Sequence, residues 1–158
     1  MQLDGAGTNQ DDRILIIGAT NRPQEIDEAF LRRMSKRLYI PLPNKKSRKH
    51  LIESVIKKES EKNNKYNIEE NEMEEILKIT KGYSGSDLMG VCREAAMMPI
   101  RTIEDILEVS LDNIRDVILN DFKEAVNLIR PSVSEKTFNF YFEWNKNFGS
   151  FQYEDKDE

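Results

Sequence analysis

At 158 residues, with 38% hydrophobic and 34% charged side chains, the chain is long enough to bury a core and too apolar to be disordered. With 24 basic against 29 acidic residues the net charge is −5, which argues against nucleic acid or an anionic membrane as the partner of the whole molecule. Its one cysteine, Cys92, excludes an internal disulfide, and no apolar run nears the roughly 20 residues that span a bilayer. With no basic segment leading into an apolar signal core, an intracellular protein is expected, cytoplasmic or nuclear.

Residues 1–13 read as a helix end running into a polar loop. Residues 14–19 are a continuous apolar run, the pattern of a strand covered on both faces. Pro23 opens a turn, and Glu25 to Arg33 form a short helix with acidic residues early and arginines late, as the helix dipole favours. Arg37 to Leu42 make a second strand, stopped by Pro41 and Pro43.

Beyond Pro43 the apolar period changes from two to nearly four, which marks a subdomain boundary after residue 43. Leu51, Ile52, Val55 and Ile56 form the stripe of a lysine-rich helix. In the same helix Lys45, Lys46, Arg48 and Lys49 are a basic cluster read as a solvated face, and His50 as solvated. Residues 58–67 are polar, a helix end and loop. Met73, Ile76 and Leu77 mark the next helix, with Gly82 as its cap. Ser84 then caps a helix into which Asp87 reaches back, and Leu88, Val91, Cys92 and Ala95 face inward until Pro99 ends or kinks it. Residues 116–118 are extended, Asp121 begins a helix through Ile129, and Pro131 breaks it. Ser134 caps a last helix carrying Phe138, Tyr141, Phe142, Asn145 and Phe148 at helical spacing, before an acidic tail at 150–158.

Three groups could carry chemistry. Asn21 sits where the first strand ends, and a neutral amide there can orient water and touch a phosphate without trapping a proton. Taken alone, Thr20-Asn21-Arg22-Pro23 is simply a turn. Arg32 and Arg33 are permanently charged forks that suit phosphate oxygens, although two arginines late in a helix are also favourable as bare surface charge. Gly82, Gly85, Ser86 and Asp87 combine small residues, which admit a close ligand, with a helix start, which favours anions. The same residues serve as an ordinary cap. No Cys, His and carboxylate grouping has metal spacing, so no metal site is expected.

The order of these pieces resembles one family closely. Ile16-Ile17-Gly18-Ala19-Thr20-Asn21-Arg22-Pro23, Ile26-Asp27, Arg32-Arg33 and Ile40-Pro41-Leu42-Pro43 resemble the second region of homology of AAA-type ATPases, in the microtubule-severing, fidgetin-like group. Gly82-Tyr83-Ser84-Gly85-Ser86-Asp87 resembles the start of the lid helix. Tyr141-Phe142-Glu143-Trp144-Asn145-Lys146-Asn147-Phe148-Gly149 resembles the closing motif of fidgetin-like and spastin-like enzymes. Met34 stands where phenylalanine is common, and no arginine occupies the sensor-two position of the lid motif. The short stretch between Arg101 and Asp121 leaves little room for the β-domain of the endosomal-sorting relative.

The resemblance implies a mainly α fold: the remnant of an α/β large subdomain with two strands over 1–43, a helical lid over 44–130 and a closing helix over 131–149. It implies Asn21 as sensor one, Arg32 and Arg33 as arginine fingers acting on the neighbouring subunit, and Gly82, Gly85, Ser86 and Asp87 beside the nucleotide. It further implies ATP with Mg²⁺ in the complete enzyme, a homo-hexameric ring, and a protein substrate such as tubulin. The sequence holds no Gly-x-x-x-x-Gly-Lys-[Ser/Thr] and no apolar strand ending in Asp-Glu, so this chain alone is expected to be inactive and to hold no nucleotide tightly. Residues 44–149 are expected to be the stable part, with 1–43 rearranged, weakly ordered or paired with another chain. The alternative is a non-catalytic helical module that docks on a full AAA partner.

Overall fold

The computed structural model describes residues 15–61, 65–103 and 114–151. The polar loop read at 1–13, the stretch 104–113 and the acidic residues 152–158 lie outside them. Among the described residues the chain is mainly helical. A 3-10 turn Pro23–Glu25 leads to α1 (Glu28–Arg33), followed by α2 (Lys45–Ser60), α3 (Glu70–Ile79), α4 (Gly85–Arg101), α5 (Leu119–Leu128) and α6 (Glu135–Phe148).

Helices α2 to α5 form one core. Each starts on a local hydrogen bond that supplies an otherwise orphaned backbone donor. The side chain of Asn44 accepts from Ser47 N–H at 2.9 Å, Glu72 accepts from Glu69 N–H at 2.8 Å, and Asp121 accepts from Ile118 N–H at 2.9 Å. α4 packs on α2 and α5, and α3 on α2 and α5. Ile52, Ile76, Leu77, Leu88, Val91, Ala95 and Phe122 are fully enclosed there. Burying side chains of the Leu, Ile and Phe class stabilises by about 1.5–3 kcal/mol each, so this cluster is the main source of stability.

Two polar ties close the core. Lys65–Asn67 and Val117 make an isolated parallel bridge, with Val117 N–H on Lys65 O at 2.8 Å and Asn67 N–H on Val117 O at 2.9 Å. The Arg115 guanidinium grips the buried Asp121 carboxylate with two parallel bonds of 2.7 and 2.8 Å.

Several elements depart from the sequence expectations. The two strands are absent from the described residues: 15–20 and 34–44 are irregular, and Leu15, Ile17 and Ile40 are each 82% exposed. A strand needs a neighbour for its backbone groups, and among the described residues none runs along 15–20. The short helix begins at Glu28 rather than Glu25, because Asp27 caps it by accepting from Ala29 N–H at 2.8 Å. Pro99 does not end α4, which runs on to Arg101. Asp121 does not open α5 but is its third residue, in the first turn. Arg48 is not solvated. It is 3% exposed and donates to Pro43 O at 3.0 Å and Leu77 O at 3.3 Å. Its neighbours are surface residues: Lys45 pairs with Glu74 at 2.6 Å, Lys49 with Glu70, and His50 is exposed.

Candidate functional site

The residues singled out in the sequence fall on two mounts. The first is the stretch from Asn21 to Arg37, which carries α1. Pro23 is buried at its entry, and Arg22 pairs with Glu25 at 3.1 Å. Asn21 is exposed, and its backbone carbonyl accepts from the phenolic O–H of Tyr141 on α6 at 2.6 Å. At the other end, Arg37 exchanges two bonds with Ser150. Its N–H donates to Ser150 Oγ at 2.9 Å, and its carbonyl accepts from Ser150 N–H at 2.9 Å.

Between these points α1 displays its arginines outward. The Arg32 side chain is 82% exposed and lies 3.8 Å from Glu28, a surface pair worth little. Arg33 is also exposed and donates from Nη1 to the carbonyl of Ala29 at 3.1 Å, across one helical turn. Both guanidinium groups sit in the last turn of α1, where positive charge meets the negative end of the helix dipole. Such a pair can reach an anion presented by another molecule with little desolvation to overcome beforehand.

The second mount is the turn between α3 and α4. Gly82 takes φ 81°, a left-handed conformation that glycine adopts without strain and that carries the chain out of α3. Tyr83 is buried and donates its hydroxyl to Ile129 O at 2.8 Å, tying this turn to the end of α5. Ser84 and Asp87 form the reciprocal capping box read from the sequence: Asp87 N–H donates to Ser84 Oγ at 3.2 Å, and Ser84 N–H donates to Asp87 Oδ2 at 2.9 Å.

Asp87 does more than cap. Its Oδ2 also accepts from the N–H of Ser132 at 3.1 Å and from its Oγ at 3.0 Å. Burial alone would push the carboxyl upward, but the bonds from Ser84 and Ser132 outweigh it and hold Asp87 below the usual carboxylate range. Its carboxylate is thus engaged inside the protein. Gly85 is half-buried against Leu51, and Ser86 is exposed.

An open groove of about 280 Å³ runs beside Gly82. Leu42, Pro43, Val133 and Phe138 give it apolar walls, and Asn44, Lys81 and Glu135 a polar rim. It reaches Gly82 but not Gly85, Ser86 or Asp87. Arg48 borders it too, and sequence reasoning missed its part in holding that wall. A signal was available: Arg48 lies one helical turn before Ile52, on the buried stripe rather than the solvent face. Cys92 lies in the core as read, 1% exposed, with its thiol pushed up to about 12 by burial. Among the described residues no group of three or more His, Cys, Asp or Glu could hold a metal ion, and no helix is long and apolar enough to cross a membrane.

Comparison with known proteins matches these features in order. Residues 2–42 match the model of the ATPase family associated with various cellular activities (AAA), and residues 71–116 that of the AAA+ lid domain. Fidgetin-like protein 1 of Xenopus tropicalis is 48% identical over 151 residues, 94% of this chain and 22% of that protein. Spastin of Bos taurus is 40% identical over 151 residues, 94% of this chain and 24% of that protein. The chain therefore spans under a quarter of the curated relatives it matches.

The crystal structure of the FIGL-1 AAA domain in complex with ADP superposes with a TM-score of 0.86 at 44% identity, over 95% of this chain and 50% of that one. A structure described as the basis for katanin self-assembly gives 0.64 at 30% identity, over 78% of this chain and 44% of that one. A likeness over 95% of the chain takes in residues on both sides of Pro43. With AAA sequence before Pro43, AAA+ lid sequence after it and this likeness along its length, the chain belongs to the AAA ATPase family, alongside the fidgetin-like and spastin-like proteins.

Proposed function

We propose that this chain supplies the nucleotide-sensing amide, the trans-acting arginines and the lid of an ATP-driven AAA machine that remodels proteins. Its large-subdomain portion is 1–43, its lid 44–130 and its closing helix 131–149. The observation that carries this reading is the outward display of Arg32 and Arg33 in the last turn of α1, within a segment that matches the AAA model. An exposed guanidinium pair at a helix end suits the phosphate oxygens of a neighbour. Asn21, at the start of the same stretch, would orient water near a phosphate through its neutral amide.

The residues present fit one side of ATP with Mg²⁺. The apolar walls of the groove beside Gly82 suit the faces of a planar base, and Gly82, which has no side chain, allows close approach. The sequence contains no glycine-rich loop with a lysine to hold β- and γ-phosphates, so that cradle and its metal ligands must come from residues outside this sequence. When bound, ATP supplies the phosphoanhydride whose hydrolysis drives the machine. Action of Arg32 and Arg33 across a subunit boundary requires assembly with neighbouring subunits, which the katanin self-assembly neighbour supports, and a homo-hexamer is the ring we propose. Microtubule severing, with tubulin as the substrate, is the activity favoured by the likeness to spastin and katanin.

The test is complementation. A fidgetin-like AAA domain with its equivalent arginines replaced by alanine is mixed with this chain, and ATP turnover is followed. Turnover should rise with added chain, and Arg32→Ala or Arg33→Ala should abolish the rise, since such arginines contribute on the order of a thousandfold or more. Binding to the ring without any rise would leave the non-catalytic docking module as the correct reading.

A further inference from the structure

Both ends of the arginine-bearing stretch are held by one element. Asn21, before α1, accepts the Tyr141 hydroxyl at 2.6 Å, and Arg37, after it, exchanges two bonds with Ser150, the second residue beyond α6. Arg32 and Arg33 lie between these two points, on a helix of only six residues with no buried side chain of its own. A helix that short does not hold its direction unaided, so the attachments at its two ends must set where the arginines point.

The turn after α6 is itself built to fixed geometry. Gly149 N–H donates to Asn145 O at 2.7 Å, and the Asn145 amide donates to Phe151 O at 3.1 Å while being only 2% exposed. A Cβ on Gly149 would collide with Asn145 Oδ1 and fall 2.6 Å from Asn145 O, so glycine is required. That turn delivers Ser150 to Arg37.

We infer that α6 and the turn Gly149 to Phe151 form the mount that aims Arg32 and Arg33, with Tyr141 and Ser150 as positioning residues for the arginine pair. This rests on the reading of Arg32 and Arg33 as trans-acting groups. Tyr141 and Ser150 act through the backbone on either side of α1. Losing the Tyr141 hydroxyl frees one end of the stretch, and losing the Ser150 hydroxyl leaves the other on one bond of two; either spreads the directions the guanidinium groups take, while the lid core is untouched.

The same complementation separates the possibilities. Tyr141→Phe and Ser150→Ala should each lower the plateau of restored turnover by about three- to tenfold, leaving the chain concentration for half-maximal effect unchanged. Ser150→Thr, which keeps the hydroxyl, should restore the plateau. Amide hydrogen exchange on the same variants should quicken at Arg37 in Ser150→Ala and stay slow throughout α2 to α5. Plateaus equal to the unaltered chain would overturn the inference while leaving the arginine reading intact. A shift in half-maximal concentration alone, or lost protection across the lid helices, would also overturn it, as a docking or general folding role. If the unaltered chain restores no turnover, the arginine reading itself fails and this inference falls with it.

Discussion

Ser132 places both its backbone N–H and its hydroxyl on one oxygen of Asp87, at 3.1 and 3.0 Å, and so joins the loop before α6 to the first turn of α4. Asp87→Ala would strand the Ser84 and Ser132 donors and should lower the unfolding free energy by about 2 kcal/mol, measured by urea titration. The pH dependence has a definite sign. The folded carboxyl is held below its unfolded value, so its contribution is present above the unfolded pKa and is lost as pH falls through the folded one. Thermal melting between about pH 6 and pH 3 should therefore fall less steeply in Asp87→Asn than in the unaltered chain.

Arg48 bonds two carbonyls from inside the core, Pro43 O before α2 and Leu77 O in the last turn of α3. Arg48→Met keeps the bulk but leaves those carbonyls without their donor, and should cost about 2 kcal/mol in chemical denaturation. Arg48→Lys should recover less than half of that loss, because an ammonium cannot reproduce the fork of a guanidinium. Full recovery by lysine would mean that charge alone, not forked geometry, is what the site requires.

Gly149→Ala should act locally. The clash with the Asn145 backbone forces the turn after α6 to move, so the Ser150 amide should exchange with solvent much faster. The amides of α3, α4 and α5 should keep their protection, which two-dimensional NMR in deuterated water would track residue by residue.

Cys92 should resist alkylation. Its thiol is enclosed by the core and pushed up to about 12, so at pH 8 a small iodoacetamide-type reagent should label the native chain more than about a hundredfold slower than the chain in urea. Rapid labelling in native buffer would show that the α2 to α5 core opens readily.

What could be read from the sequence was set by how local each interaction is. The Ser84 and Asp87 box, the Gly82 exit, the stripes of α3 and α4 and the aromatic spacing of α6 depend on residues three or four apart, and they lie where the pattern put them. The apolar runs at 14–19 and 37–42 have strand composition, yet a strand is completed only by a neighbour that the local sequence does not specify. Pro99 does not end its helix because a proline near a helix end loses just one bond, and the buried packing of Met98 and Pro99 accompanies two further residues of α4. For the candidate site, the cap and the place of Arg32 and Arg33 late in their helix were legible. The second set of partners on Asp87, and the hold of Tyr141 and Ser150 on the α1 stretch, join residues tens to more than a hundred positions apart and leave no periodic trace.

The small bridge between Tyr66 and Val117 has a bearing on the order in which the molecule assembles. Its two sides are separated by about fifty residues that include α3 and α4, so closing it carries the entropy of a long loop. The Ser84 and Asp87 capping box at the start of α4 needs no such search, since its two bonds join residues three apart. Assembly should start with such locally capped helices, with the 66–117 seam and the docking of α5 on α3 and α4 setting in afterwards.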